Sequence, residues 1–154
     1  MSIKESAYIL RLPFIRNNYE ECAKEARLKD MSFEDFLEEL LKNEVELRTR
    51  NSIKTRIRRA KFPYQMILQD YQREHLSIEI RQKIHELETL EFIDNKQNII
   101  LIGNPGTGKT ALSIALGTEA CQQGKKVLFV SIPTLLIELK EAMKEAQSDS
   151  VVYF

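Results

Sequence analysis

The sequence predicts an α/β domain built around a phosphate-binding loop, preceded by an α-helical N-terminal domain. A glycine-rich loop with the spacing G-x-x-x-x-G-K-[ST] begins at Gly103, directly after the aliphatic run at residues 99–102. A second apolar, β-branched run at residues 127–131 is typical of a strand in a buried parallel sheet. Before residue 62, apolar residues repeat instead with helical period. The order β-α-β-α after residue 98 therefore predicts a doubly wound domain.

The loop is the strongest functional signal in the chain. Glycines let the backbone adopt positive φ and turn its amides toward an anion, and the helix that follows directs its N-terminal N–H groups to the same point. Lys109 adds a charge for the β- and γ-phosphates, and the Thr110 hydroxyl is a candidate Mg²⁺ ligand. The predicted nucleotide-binding residues are Gly103, Asn104, Pro105, Gly106, Thr107, Gly108, Lys109, Thr110 and Ala111.

Composition narrows the class of protein. The 154 residues are 43% hydrophobic and 30% charged, with a net charge of zero, which is typical of a globular chain rather than a disordered one. The longest aliphatic run, residues 99–102, is too short to span a membrane, and the N-terminus lacks a signal-peptide core, so we expect a cytoplasmic protein without membrane contact. No metal-ligand spacing connects the two cysteines and two histidines, so no zinc site is predicted.

The N-terminal domain, residues 1–61, is predicted to contain a short helix ending near Leu28 and a long helix at 33–60. Ser32 and Asp35 form the capping pattern that opens the long helix, and Pro63 ends it. The first half of this helix is predicted to contribute to a core. The apolar residues that keep its period are Phe33, Phe36, Leu37, Leu40, Leu41, Val45 and Leu47.

The second half of the long helix is basic. Residues 1–61 hold 14 Lys/Arg against 11 Asp/Glu, and no acid interrupts the stretch from residue 48 to residue 61, so we expect no i,i+4 ion pairs there. Contact with nucleic-acid phosphates is the favoured interpretation, and a solvated helix face is the alternative. The candidate DNA contacts are Arg48, Arg50, Lys54, Arg56, Arg58, Arg59 and Lys61.

The remainder divides into a linker at 62–76 and a P-loop domain at 77–154. The linker lacks periodicity but carries apolar anchors. Ser77 is the predicted cap of a helix through about residue 91, with inward residues at 80, 84, 87 and 90. The helix after the P-loop should end at Gly124, and it has a broad apolar face at helical spacing, formed by Ala111, Leu112, Ile114, Ala115, Leu116, Ala120 and Cys121. A last helix should begin near Pro133 with Leu135, Leu136, Leu139, Met143 and Ala146 inward.

Several motifs together resemble one family. They are LRLP at 10–13, SFEDFL at 32–37, RRAKFP at 58–63, NPGTGKT at 104–110 and GKKVLFV at 124–130. This combination is similar to the IstB-like transposition helper ATPases, relatives of the DnaC helicase loaders within the AAA+ group. The resemblance implies an AAA+ fold, ATP and Mg²⁺ as ligands, assembly as a homo-oligomer on duplex DNA, and regulation of a transposase from the same mobile element.

The resemblance also implies features that this sequence lacks. Hydrolysis in that family needs an Asp-Glu pair after a later strand, a sensor residue and an arginine from a neighbouring subunit. None is present, so no catalytic residue is assigned, and we expect a truncated AAA+ domain that binds ATP more readily than it hydrolyses it. The tail at 148–154 matches no family pattern. Two alternatives stay open: a DnaC-like helicase loader, and a non-hydrolysing DNA-binding fragment.

Overall fold

The computed structural model describes residues 1–148 and the side chains of residues 1–144. Its helices are α1 (Ile3–Ile9), α2 (Pro13–Leu28), α3 (Phe33–Arg59), α4 (Ile78–Glu88), α5 (Glu91–Asp94), α6 (Lys109–Gln122) and α7 (Ile132–Ser148), with a 3₁₀ turn at Leu68–Asp70. The chain divides into two compact units, Met1–Thr55 and the part from Arg56 onwards, and the boundary lies within α3.

In the first unit, α1 and α2 pack together as a helical pair. Ser2 and Glu5 form a reciprocal capping box at the start of α1, with bonds of 2.8 and 3.2 Å. Pro13 occupies the first position of α2, where its fixed φ suits a helix and its missing N–H costs nothing. Ala7 and Ala26 are buried, since small side chains allow close helix packing.

Helix α3 confirms the predicted long helix, ending one residue earlier than expected. The Asp35 amide donates to the Ser32 hydroxyl at 3.0 Å, as the capping pattern predicted. The predicted core face is wrong in part, however: Leu40 is buried as predicted, and Phe36 and Leu47 are half-buried. Leu40 and Glu44 are the residues of α3 that are buried, one turn apart, while four predicted core residues are exposed: Phe33, Leu37, Leu41 and Val45. A single long helix buries only the face that a neighbour covers.

That face is defined by a buried carboxylate. Glu44, which is 3% exposed, accepts hydrogen bonds from the backbone amides of Phe14 at 2.8 Å and Ile15 at 3.1 Å. Arg48 lies one turn further along α3, 3.6 Å from the other oxygen of Glu44. Because the first N–H groups of a helix have no partner within it, Glu44 caps α2 from another helix.

In the second unit, α6 is the central element. The core cluster consists of residues from α6, from α4, from the turn between α4 and α5, and from the linker at 62–76: Leu68, Tyr71, Ile84, Leu90, Leu112, Ala115, Leu116 and Ala120. The predicted apolar face of α6 is therefore confirmed. Ser77 caps α4 as predicted, through a 3.4 Å bond from the Ile80 amide, but the Ile80 side chain is 47% exposed rather than inward.

The predicted sheet is not confirmed: within residues 1–148 no β-strand forms. The segments 99–102 and 127–131 have no ladder partner there, and the Phe129 amide donates instead to the Ala60 carbonyl at 2.8 Å. A strand exists only through hydrogen bonds to a neighbouring strand, so apolar sequence alone cannot form one. Residues 99–102 and residues 127–129 still alternate in burial, with Ile100, Ile102 and Leu128 exposed, although Val130 is half-buried like Phe129 before it.

The last helix also departs from expectation. α7 forms near the predicted position, but Leu135, Leu136, Leu139 and Met143 are 37–65% exposed instead of inward, because no described element covers them. Ala146 and the tail at 149–154 lie outside the side chains and residues described. Among the helices described, none has the length and apolar character that crossing a membrane requires.

The capping role of Glu44 yields a stability prediction. Glu44→Ala should lower the free energy of unfolding by about 1–3 kcal/mol, because two partly buried amides lose their acceptor. Urea denaturation followed by circular dichroism measures this loss. Glu46→Ala is the matched control: this exposed neighbour pairs with Arg50, at 3.7 Å, and its loss should cost less than about 0.5 kcal/mol. Equal losses for both variants would contradict the capping role.

Candidate functional site

The start of α6 differs from the start of every other helix of seven or more residues in the described chain. Side-chain oxygens accept from N-terminal amides at α1, α2, α3, α4 and α7, supplied by Ser2, Glu44, Ser32, Ser77 and Ser131. α6 instead begins after Gly108, which has a φ of 81° and offers no side-chain cap. Its first amides are thus left for another acceptor, and the macrodipole favours an anionic one.

The Lys109 ammonium lies inside the loop. It donates to the Gly103 carbonyl at 2.9 Å, the Asn104 carbonyl at 2.7 Å and the Thr107 hydroxyl at 3.2 Å. The Thr107 hydroxyl donates in turn to the Asn104 carbonyl at 2.9 Å. The loop is therefore closed around a positive charge, next to the uncapped helix.

Two loop glycines have geometry that other residues would resist. Gly106, at φ 79°, and Gly108 both lie in the left-handed region, where a Cβ costs roughly 1–2 kcal/mol. The conformation matches what an anion-binding loop requires, since left-handed residues turn successive amides to one side. The residues present therefore fit a nucleotide phosphate.

Thr110 is exposed on the first turn of α6, and no hydrogen bond holds its hydroxyl among the described residues. In the same part of the chain, no three His, Cys, Asp or Glu side chains gather as a metal site. A cation here would depend on one hydroxyl together with phosphate oxygens and water, which is the coordination that Mg²⁺ accepts at nucleotides.

A groove of about 680 Å³ runs beside α6. Its lining includes Lys109 and Thr110 from the P-loop, Leu116 and Gly117 from α6, and alternate residues of both segments that were predicted as strands: Ile99, Leu101, Val127 and Phe129. The two segments therefore present their less exposed faces to one groove, next to the loop.

Three contacts around α6 were not predicted. A Cβ placed on Gly117 would lie 2.8 Å from Cζ of Phe62, so that ring packs directly on the helix backbone. The Phe62 ring also meets Phe129 edge to face, with centroids 6.3 Å apart. Tyr71 packs in the same manner against Gly108. The apolar anchors in the linker were the only signal for these contacts, because no motif reports which helix an aromatic residue will meet.

The candidate DNA contacts separate into two groups. In the first unit, Arg48 donates to the Arg11 carbonyl and lies near Glu44, and Arg50 pairs with Glu46. The expectation of no i,i+4 ion pairs is wrong for these two, because the partner acids lie just before the basic stretch. Lys54 is exposed and has no ion pair among the described residues.

In the second unit, Arg56 has a structural contact. Its Nε donates to the Cys121 carbonyl at 2.7 Å, in the last turn of α6. That turn ends in a Schellman motif with Gly124 at a φ of 91°, as the predicted glycine cap requires. Arg58, Arg59 and Lys61 are exposed, and no ion pair involves them in the described chain. They are the candidates still available to an external phosphate.

The comparison with known families decides the relationship. The family model described as "IstB-like ATP binding protein" matches residues 5–152. The chain belongs to this IstB-like family. The match covers the P-loop and the helical region before it, so the predicted resemblance is confirmed.

Curated relatives of this IstB-like chain come from several bacteria. It is 34% identical over 145 residues to the "Insertion sequence IS5376 putative ATP-binding protein" of Geobacillus stearothermophilus, covering 94% of this chain and 58% of that protein. It is 30% identical to the corresponding IS21 protein of Pseudomonas aeruginosa, with 88% and 51% covered. An IS21-like protein of Bacteroides fragilis is 34% identical, with 90% and 69% covered. The chain spans just over half the length of the first two.

The contact of Arg56 with α6 yields a second prediction. Arg56→Ala should lower the free energy of unfolding by about 1–2 kcal/mol, since it removes a charge-assisted bond to a helix C-terminus. Arg58→Ala, two residues away and exposed, is the matched control and should change stability by less than about 0.5 kcal/mol. Thermal or urea unfolding measures both. If the two variants unfold alike, Arg56 does not stabilise α6.

Proposed function

We propose that the chain binds ATP with Mg²⁺ at residues 103–111 and acts as an ATP-binding accessory protein of DNA transposition. One observation carries the binding proposal: the Lys109 ammonium lies within a glycine loop at the uncapped start of α6. The relatives support the rest, because each is named as an ATP-binding protein of an insertion sequence.

The roles within the loop follow from residue chemistry. Backbone amides of the loop and of the first turn of α6 would hold phosphate oxygens. Lys109 would exchange its carbonyl acceptors for the β- and γ-phosphates, and the Thr110 hydroxyl would bind Mg²⁺. The other non-glycine residues predicted to bind the nucleotide would shape the loop and supply main-chain groups. They are Asn104, Pro105, Thr107 and Ala111.

We also propose that residues 77–154 belong to an α/β P-loop domain of AAA+ type, that residues 1–61 form the helical domain before it, and that 62–76 connect them. The alternating burial of residues 99–102 and of residues 127–129 supports strand character in both segments. Their exposed faces, at Ile100, Ile102 and Leu128, are apolar as in a sheet covered on both sides.

For DNA, the proposal rests on the basic residues that form no ion pair within the described part of the chain. Arg58, Arg59 and Lys61 are exposed and adjacent, and Lys54 is exposed earlier in the helix. They would contact duplex phosphates, which provides affinity without sequence recognition. The insertion-sequence names of the relatives favour a transposase of the same element, rather than a replicative helicase, as the protein partner. The chain would assemble as a homo-oligomer on DNA and bind the transposase there.

The nucleotide proposal predicts the effect of losing Lys109. Lys109→Ala should weaken MgATP binding at least about tenfold, because it removes charge-assisted bonds to phosphate. Isothermal titration calorimetry or a fluorescent ATP analogue measures the dissociation constant. Lys126→Ala, an exposed lysine outside the loop, is the control and should bind like the parent protein. Unchanged affinity in Lys109→Ala would show that the loop does not bind ATP.

The DNA proposal predicts a change in salt dependence. Replacing Arg58 and Arg59 by Gln should weaken duplex binding and reduce the slope of log K against log salt by ~0.9 for each phosphate that the variant no longer neutralises. Fluorescence anisotropy at several salt concentrations measures the slope. Lys24→Gln with Lys42→Gln removes the same charge from exposed positions elsewhere and should leave the slope close to that of the parent protein. A common slope for both double variants would mean that Arg58 and Arg59 lie on a solvated face.

A further inference from the structure

Tyr71 is a buried residue with an unusual neighbour. It is 9% exposed and belongs to the core cluster beneath α6. The P-loop motif, which begins at Gly103, gives no indication of a residue so far before it. No hydrogen-bond partner of the Tyr71 hydroxyl lies among the described residues, so packing rather than a polar bond places this ring.

The segment that carries Tyr71 is fixed on both sides. Tyr71 follows the 3₁₀ turn Leu68–Asp70, which packs against α6, and its amide donates to the Leu68 carbonyl at 3.3 Å. The Arg73 guanidinium donates to the same carbonyl at 3.0 Å and forms an ion pair with Glu88 at the end of α4. The ring therefore projects from a turn that is tied to two helices.

The ring lies directly against the last loop residue before α6. A Cβ built on Gly108 would lie 3.2 Å from the Tyr71 hydroxyl oxygen and 3.3 Å from its Cε2 atom. These separations are shorter than most contacts of a Cβ atom, so a side chain at position 108 would require the Tyr71 ring to shift by a few tenths of an ångström. Gly108 also has a φ of 81°, which favours glycine independently.

We propose that Tyr71 is a positioning residue of the nucleotide site: its ring holds Gly108, and with it the first amides of α6, in the geometry that receives phosphate. The inference rests on the proposed ATP binding. A loop already held in its binding geometry loses less conformational entropy when the ligand arrives, so removing the ring should weaken affinity without altering any group that touches the nucleotide.

Three variants separate positioning from general stability. Tyr71→Leu keeps an apolar side chain in the core but lacks the ring edge that reaches Gly108, and MgATP affinity should fall about tenfold. Tyr71→Phe keeps the ring and should bind within about threefold of the parent protein. Leu68→Ala is the matched control: Leu68 has the same 9% exposure in the same cluster, but the atoms nearest a Cβ on Gly108 all belong to Tyr71. It should reduce the melting temperature yet leave affinity within about threefold.

A double-mutant cycle tests the packing of the ring on the glycine. Gly108→Ala must overcome both the ring and the positive φ, whereas in a Tyr71→Leu background only the φ cost remains. The affinity lost through Gly108→Ala should therefore be smaller, by about tenfold, when Tyr71 is already Leu. Equal losses in the two backgrounds would show that the ring does not act through Gly108.

The outcomes are distinct. If Tyr71→Leu binds MgATP like the parent protein, the inference is overturned. It is also overturned if Leu68→Ala loses as much affinity as Tyr71→Leu. A loss in Tyr71→Phe as large as in Tyr71→Leu also overturns it, because the hydroxyl rather than the ring would then be responsible. If Lys109→Ala binds MgATP like the parent protein, the proposed function fails and the inference fails with it. If Lys109→Ala binds MgATP weakly and Tyr71→Leu binds it like the parent protein, the inference alone fails.

Discussion

Burial of α6 is the constraint on which the second unit depends. Seven of its residues are buried: Leu112, Ile114, Ala115, Leu116, Thr118, Ala120 and Cys121. A helix that is apolar over most of its circumference is stable only when other elements cover it, since each buried aliphatic side chain contributes about 1.5–3 kcal/mol relative to exposure. Helix α4, the 3₁₀ turn and the segment after α3 supply that cover. The loop before α6 therefore starts from a fixed helix end rather than from a mobile one.

The segment from Arg56 to Tyr71 follows α6 along its whole length. Arg56 meets its last turn at Cys121, the Phe62 ring packs on Gly117 near its middle, and the Tyr71 ring packs on Gly108 at its start. This path explains why residues 62–76 show neither helical nor strand periodicity. The positions of the anchors are determined by the surface of another helix, so their spacing follows the path along that helix rather than a backbone period of their own.

Sequence reasoning succeeded where a local rule applies. The start of α3 at its Ser32 cap, the glycine that ends α6 and the apolar face of α6 all follow from residues within a few positions of each other. It failed where the outcome depends on what covers a surface, as in the exposed faces of α3 and α7. The predicted sheet, which depends on partner strands, is not confirmed within residues 1–148. Glu44 could not be predicted as a cap because its partners at Phe14 and Ile15 are some thirty positions away. Arg56 is likewise a predicted DNA contact because its partner, the Cys121 carbonyl at the end of α6, is distant in sequence and a basic pattern does not reveal it.

The glycines of the second unit show how local and tertiary constraints meet at one residue. The P-loop pattern explains Gly108 through backbone conformation, and its φ of 81° agrees. The Tyr71 ring supplies a second reason, because a Cβ at this position would lie only 3.2 Å from the Tyr71 hydroxyl oxygen. Packing alone explains Gly117. It lies inside a helix, where glycine costs about 1 kcal/mol relative to alanine, but the Phe62 ring fills the space that a methyl group would need. A glycine within the motif thus contacts a packed ring as one outside it does, and the geometry of the loop is determined partly by residues that no loop motif contains.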